Sequence, residues 1–394
     1  MKCEQLNINQ KLITMLQQQR FEELTCIQER CIPEILQGKD VVGQAETGSG
    51  KTLAFCLPIL NAIQPHKGLQ ALILTPTREL CIQVTDVFRE FGKTLGIRTA
   101  SVYGGVGIGP QIHDIRTTDI VVGTPGRMLD HIRRGTIDFR FIRIVVLDET
   151  DKMFEMGFIE DVEAIIHEVP RQRQLLLFSA TISEEVHRLA RQHLNHPVIV
   201  KTQSYVDHSK LKQIYYDIYE QNQKFSLLVH LLNQNTNGLS IVFCGTRRES
   251  DAVSKNLARQ GIHASAIHGG MKQNKRSSSL DSLKSQRTKV LVATDVAARG
   301  LDIKNVTHIY NYDVPKTPTE YVHRIGRTAR AGANGSAITL LTERDHDNFR
   351  RVQSNDDFQI ERADVPEFRQ VPFRRHFEPR QHSFRGPPRH TFSR

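Results

Sequence analysis

The chain has 394 residues, too many for one ordinary hydrophobic core, so two domains are the natural expectation. Its hydrophobic fraction of 39% and charged fraction of 24% are those of a globular protein, and no apolar run is long enough to cross a bilayer, which excludes a helical membrane protein. A formal net charge of +10 suits a polyanionic partner; half of it lies between Arg362 and Arg394, where eight arginines meet three acids.

Short β-branched and aliphatic runs alternate with helical patterns, which predicts α/β units on parallel strands. In the first half strands are expected at Asp40–Val42, Ala71–Leu74, Thr99–Tyr103, Asp119–Val122, Ile144–Leu147 and Leu175–Phe178. In the second they are expected at Leu239–Phe243, Ile262–Ile267, Lys289–Val292, Thr307–Tyr310 and Ser336–Leu341. Residues 203–212 are polar without a helical stripe and read as a linker. A first domain then spans 1–202, a second 213–361, and a basic tail 362–394. In the tail Phe368, Phe373, Phe377, Phe384 and Phe392 alternate with Arg and His, and aliphatic residues are too few to fold alone. That composition fits a disordered, solubilising end, or an arm whose Arg meets phosphates and whose Phe stacks on bases. Six cysteines form no CxxC pair, and the start MKCEQLNINQ lacks a secretory apolar stretch. Reduced thiols and a cytoplasmic location are expected.

The halves echo each other in order. ILTPTREL (73–80) resembles IVFCGTRRES (241–250), VYGG (102–105) resembles AIHGG (266–270), and VVGTPGR (121–127) takes the place of LVATDVAARG (291–300). Two copies of one fold are implied, with matching loops at the carboxyl ends of their strands, where open α/β sheets bind ligands.

The sharpest chemical signal is GQAETGSGKT, residues 43–52, between a strand and a helical run. Ala45, Glu46, Thr47, Gly48, Ser49, Gly50, Lys51 and Thr52 have phosphate-loop spacing. The glycines let backbone N–H groups close around phosphates at a helix N-terminus. Lys51 is expected on the β- and γ-phosphates and Thr52 on Mg²⁺. RIVVLDETD (143–151) ends an apolar strand in acids: Asp148 is the expected metal carboxylate and Glu149 the general base or water positioner.

With these two motifs, the chain from about Phe21 to Gly332 resembles the DEAD-box RNA helicases of superfamily 2. PTREL (76–80), GG (104–105), TPGR (124–127), SAT (179–181), HGGMKQNKR (268–276), ATDVAARGLD (293–302) and HRIGRTAR (323–330) carry the resemblance. It implies two RecA-like domains with ATP and Mg²⁺ on the first and RNA across both. It implies RNA-stimulated ATP hydrolysis coupled to local, non-processive opening of RNA duplexes or RNA–protein complexes. By the same resemblance Phe21, Thr25 and Gln28 read adenine, and Asp302 contacts the ribose. Arg327 and Arg330 are arginine fingers. Pro76, Thr77, Arg78, Gly105, Thr124, Gly126, Arg127, Gly270, Gln273, Arg276 and Thr294 hold RNA. Asp151, Ser179, Thr181, Asp295 and His323 couple the two. The chain departs from the family with Thr150 in DETD, where Ala is usual, and with Arg20 and Leu24 where Gly and Pro usually stand. Two other readings are a superfamily 2 motor that acts on DNA or translocates, and an RNA-binding protein with a decayed ATPase. Asp151 and the Phe21–Gln28 element oppose the first; Lys51, Glu149, Arg327 and Arg330 oppose the second.

Overall fold

The computed structural model describes residues 1–46, 48–202, 210–218, 220–235, 238–271, 273–298, 303, 305–329, 334–355 and 358–374. The first half carries strands β1 (Val41–Gln44), β2 (Ala71–Leu74), β3 (Thr99–Val102), β4 (Ile120–Gly123), β5 (Ile144–Leu147), β6 (Gln174–Ser179) and β7 (Val198–Lys201). The second carries β8 (Leu211–Asp217), β9 (Leu239–Phe243), β10 (Ala264–Ile267), β11 (Val290–Ala293), β12 (Val306–Asn311), β13 (Gly335–Leu341) and β14 (Glu361–Arg362). Each half is one seven-stranded sheet, ordered β3-β4-β2-β5-β6-β1-β7 and β10-β11-β9-β12-β13-β8-β14. Every pair is parallel, and the two orders match strand for strand. The duplication heard in the sequence is thus a duplication of topology.

Parallel strands covered by helices on both faces must be apolar on both. In β5, Ile144 and Val146 enter one core while Val145 and Leu147 enter another across the sheet. The second sheet divides the same way: Val242 and Val292 face one core, Ile241, Phe243 and Leu291 the other. The described cysteines are all free, and burial pushes the thiols of Cys31 and Cys81 up to about 12. No helix among the described residues is long and apolar enough to cross a membrane.

Two boundaries differ from the expectation. Strand β8 starts at Leu211, inside the span read as linker; residues 203–209 of that span lie outside the described residues. Its polar letters hid it. Lys212 is exposed, and the Gln213 carboxamide accepts from the buried Tyr321 hydroxyl at 3.0 Å, so the strand is satisfied without an apolar alternation.

The second correction concerns the tail. Its first part is folded: β14 pairs with β8 at the sheet edge, and Phe368, Val371 and Phe373 pack against the second domain. Phe373 lies 4.9 Å from the Phe225 ring, centre to centre. The Ser226 hydroxyl receives the Val371 N–H at 3.0 Å, and Asn256 receives the Arg374 N–H at 3.0 Å. Aromatics spaced along an Arg-rich strap suffice because the groove between two helices was already built. Residues 375–394 lie outside the described residues.

Ending the chain at Arg374 keeps these contacts and is expected to leave the urea midpoint of the second domain in place. Ending it at Arg362 uncovers the Phe225 cluster and should cost on the order of 2–4 kcal/mol, typical of deleting packed aromatics. Urea unfolding of both truncations checks this; equal midpoints would mean the strap adds nothing to the fold.

Candidate functional site

Both sheets present their functional loops at the carboxyl ends of their strands, and the strand order divides that edge. In the first sheet β1, β5 and β6 are neighbours and carry the phosphate loop, DETD and SAT, while β2, β3 and β4 carry PTREL, GG and TPGR. One edge of the fold thus divides between the phosphate loop with the acidic and SAT motifs and the PTREL, GG and TPGR loops.

The phosphate loop leaves β1 and runs into the helix Lys51–Ala62. Gly48 and Gly50 stand at φ 91° and 94°, backbone that an L side chain resists. A Cβ on Gly50 would also lie 2.5 Å from Gln28 Nε2. The buried Lys51 ammonium donates to the Ala45 carbonyl, so the cation sits in the loop's own concavity. Thr25 N donates to Gln28 Oε1 at 3.0 Å and Gln28 Nε2 donates to Gly50 O at 3.0 Å. Gln28 thus ties the Phe21–Gln28 element to the phosphate loop. Phe21 is 38% exposed, an open ring face at the start of that element. Thr47 lies outside the described residues.

At the end of β5, Asp148, Glu149, Thr150 and Asp151 are all buried. Glu149 adopts φ 52°, ψ 50°, a left-handed turn rare for such a residue and the kind of strain that functional sites hold. Burial pushes the Asp148 carboxyl above its ordinary range, with Lys51 opposing and Glu149 reinforcing. Burial pushes Glu149 the same way, but Lys152, Lys51 and Arg327 outweigh it and hold that carboxyl low. Asp151 Oδ2 accepts from Thr181 N at 2.9 Å, Thr181 Oγ1 at 3.0 Å and Ala180 N at 3.2 Å, while Asp151 N donates to Ser179 Oγ. SAT therefore reaches the acidic motif through Asp151, not Asp148. The extra hydroxyl of Thr150 is accommodated, 3.2 Å from both the Leu147 and Phe178 carbonyls.

The second domain closes on this cluster. His323 Nε2 lies 3.9 Å from Asp151 Oδ2. Arg327 is 3% exposed, and its charge acts on both Glu149 and Lys152. Arg276 Nη2 pairs with Glu79 Oε1 at 3.0 Å, a buried ion pair between domains.

Residues 25–189 match the DEAD/DEAH box helicase family model and 223–332 the helicase conserved C-terminal domain. A DEAD-box ATP-dependent RNA helicase CshA of Geobacillus kaustophilus is 43% identical over 92% of this chain and 78% of that protein. The chain belongs to the DEAD-box ATP-dependent RNA helicases. Like them it hydrolyses ATP and acts on RNA. Among solved structures, S. cerevisiae Dbp5 bound to RNA and ADP BeF3 superposes with a TM-score of 0.85 at 31% identity, over 92% of this chain and 96% of that one. A DEAD box protein from Methanococcus jannaschii gives 0.56 at 36% identity, over 92% and 99%.

The residues expected to hold RNA do not all point outward. Pro76 and Thr77 are buried, and the Thr77 hydroxyl accepts from Leu80 N to cap the helix Arg78–Gly92. Thr294 is buried too, with its N–H on the Ile267 carbonyl. These residues shape loops. Gly105, Gly126 and Gly270 are exposed. Arg78 lies so close over Gly105 that a Cβ there would sit 1.8 Å from its guanidinium. Arg127 donates to Val106 O at 3.0 Å, and Thr124 heads the next helix. Gln273 opens the helix Gln273–Lys284. Asp295 does not reach across the cleft; it takes a two-pronged contact from Arg324, at 2.6 and 2.8 Å, inside the second domain. Arg276, expected on RNA, has its guanidinium on Glu79 instead, since a buried carboxylate demands a counter-charge. Asp302 and Arg330 lie outside the described residues.

Sequence reasoning missed three participants. Glu79 is one. Arg247 is another: it lies over Gly269 as Arg78 lies over Gly105, and the internal repeat of Thr-Arg before Gly-Gly was the signal that could have found it. Lys152, fully buried beside Glu149, is the third.

The Arg276–Glu79 pair is separable from RNA contact by a charge swap. Glu79→Arg should raise the RNA concentration for half-maximal ATPase stimulation by ~10-fold or more, equivalent to about 1.4 kcal/mol. Adding Arg276→Glu should restore much of it. If Arg276 acted on RNA phosphate, the double variant would be worse than either single one.

Proposed function

We propose that ATP is held by the first domain and cleaved only when the second domain delivers its cations to the Asp148–Glu149 cluster. The observation that carries this reading is a second-domain contact with the buried acidic motif: His323 Nε2 lies 3.9 Å from Asp151 Oδ2, and the buried Arg327 donates to the His323 carbonyl at 3.3 Å. Closure on bound ligands is supported by the likeness to Dbp5 with RNA and ADP BeF3. The Methanococcus jannaschii protein has higher identity and equal coverage of this chain, so its lower score speaks for a different disposition of the same two halves.

In this reading Lys51 and the loop N–H groups from Gly48 to Thr52 take the phosphates, and Phe21, Thr25 and Gln28 take the adenine. Mg²⁺ fits Thr52 and Asp148. Bound there, it would neutralise phosphate charge. Glu149 orients the attacking water and takes its proton. Arg327 and Arg330 stabilise charge on the transferring phosphoryl group. Asp302 contacts the ribose.

RNA lies across Arg78, Gly105, Thr124, Gly126 and Arg127 of the first domain and Gly270 and Gln273 of the second. Small residues and loop N–H groups position a backbone without reading bases. Closure on one strand bends it, so duplexes open locally and without processive travel; the same action would strip proteins from RNA. The described cysteines are all free, which fits a cytoplasmic enzyme.

Glu149→Gln is the test. The amide preserves shape but takes no proton, so turnover should fall by about 10²–10⁴-fold while ATP and RNA binding persist. Near-normal turnover would remove Glu149 from this role.

A further inference from the structure

We propose that Lys152 is a positioning residue for Glu149, a role that rests on the reading of Glu149 as the hydrolytic carboxylate. Lys152 lies in the first turn of the helix Thr150–Glu155, and Glu149 is the residue that caps that helix. Its Nζ lies 2.7 Å from Glu149 Oε1, with the two side chains 0% and 4% exposed.

A lysine is almost never fully buried unless something requires it there. Stability does not. An ion pair this deep forfeits the hydration of both charges, and apolar replacements of such pairs are often neutral or stabilising. The packing of this short helix is already served by Met153, which is buried in the adjoining core. The cation's effect falls on Glu149. That residue sits in a left-handed turn, where the regular helical constraints on side-chain direction are absent, and its carboxylate hangs on a flexible two-carbon stem. A charge-assisted contact within a low-dielectric site selects one direction for it.

The other cations near Glu149 have different duties. Lys51 is bound to the Ala45 carbonyl of its own loop and faces the phosphates. Arg327 belongs to the second domain and leaves with it. Lys152 and Glu149 belong to one segment of the first domain, the capped start of one helix, so the carboxylate stays aimed whether the cleft is open or closed. Arg327 then arrives at a carboxylate already in place, and closure need not spend binding energy on ordering it.

The experiment compares Lys152→Met, which keeps the stem and removes the charge, with Lys152→Arg, which keeps the charge. In the full chain at saturating ATP and RNA, Lys152→Met should lower kcat by roughly 10–100-fold, the scale of a misplaced catalytic group, with KM for ATP and affinity for a non-hydrolysable ATP analogue within about two-fold. Lys152→Arg should recover most of the turnover. On the Glu149→Gln background, Lys152→Met should not change the residual turnover further, because no carboxylate remains to aim. Unchanged kcat in Lys152→Met overturns the proposal, and so does a further loss on the Gln background. A loss of turnover matched by an equal loss of analogue binding also overturns it, because that marks a general structural role. If Lys152→Met does not fold, Lys152→Gln takes its place with the same outcomes. Near-normal turnover of Glu149→Gln alone would instead sink the reading of Glu149, whatever the lysine variants do.

Discussion

Asp148, Glu149 and Asp151 are buried together at the end of β5, and a fold tolerates such a cluster only by bringing cations and N–H donors to it. Here they come from three sources. Lys51 comes from the phosphate loop, Lys152 from the acidic motif's own helix, and Arg327 and His323 from the other domain. The first two are permanent neighbours. The last two arrive only through the disposition of the domains, so the electrostatics of hydrolysis and the geometry of the cleft are one problem. Asp151 is where they join, since its Oδ2 accepts from Thr181 and Ala180 and also faces His323.

Topology decides who can meet. With β5, β6 and β1 adjacent, three sequence-distant motifs reach one point without any long loop. With β3, β4 and β2 adjacent on the other half of the same edge, PTREL, GG and TPGR share a rigid base with the phosphate loop, DETD and SAT. The second sheet repeats the order, which places Arg247 over Gly269 as Arg78 lies over Gly105. A change in how the two sheets face each other therefore acts on ATP and RNA together, the reciprocal coupling that allostery requires.

Much of this was legible in the letters. Ile144–Leu147 and Leu239–Phe243 were read to the residue because fully buried parallel strands are unbroken aliphatic runs. The phosphate loop was legible because only glycine tolerates its backbone. What stayed hidden depended on partners far along the chain. Leu211 and Lys212 read as linker until pairing with β13 makes them the start of β8, and Phe373 reads as a disordered tail until Phe225 gives it a groove. Arg276 reads as an RNA contact until Glu79, nearly two hundred positions away, claims its guanidinium. Lys152 drew no notice in the letters, because nothing local announces that its helix faces inward.

The account stands on the claim that the first domain binds ATP but cannot cleave it alone. The direct measurement is ATP binding and turnover by residues 1–202, by the full chain, and by the full chain with Arg327→Ala, each with saturating RNA. The account predicts that all three bind ATP. The full chain should turn over ~10³-fold or more faster than either of the others, the scale known for arginine fingers. Turnover by residues 1–202 at the full-chain rate would contradict it.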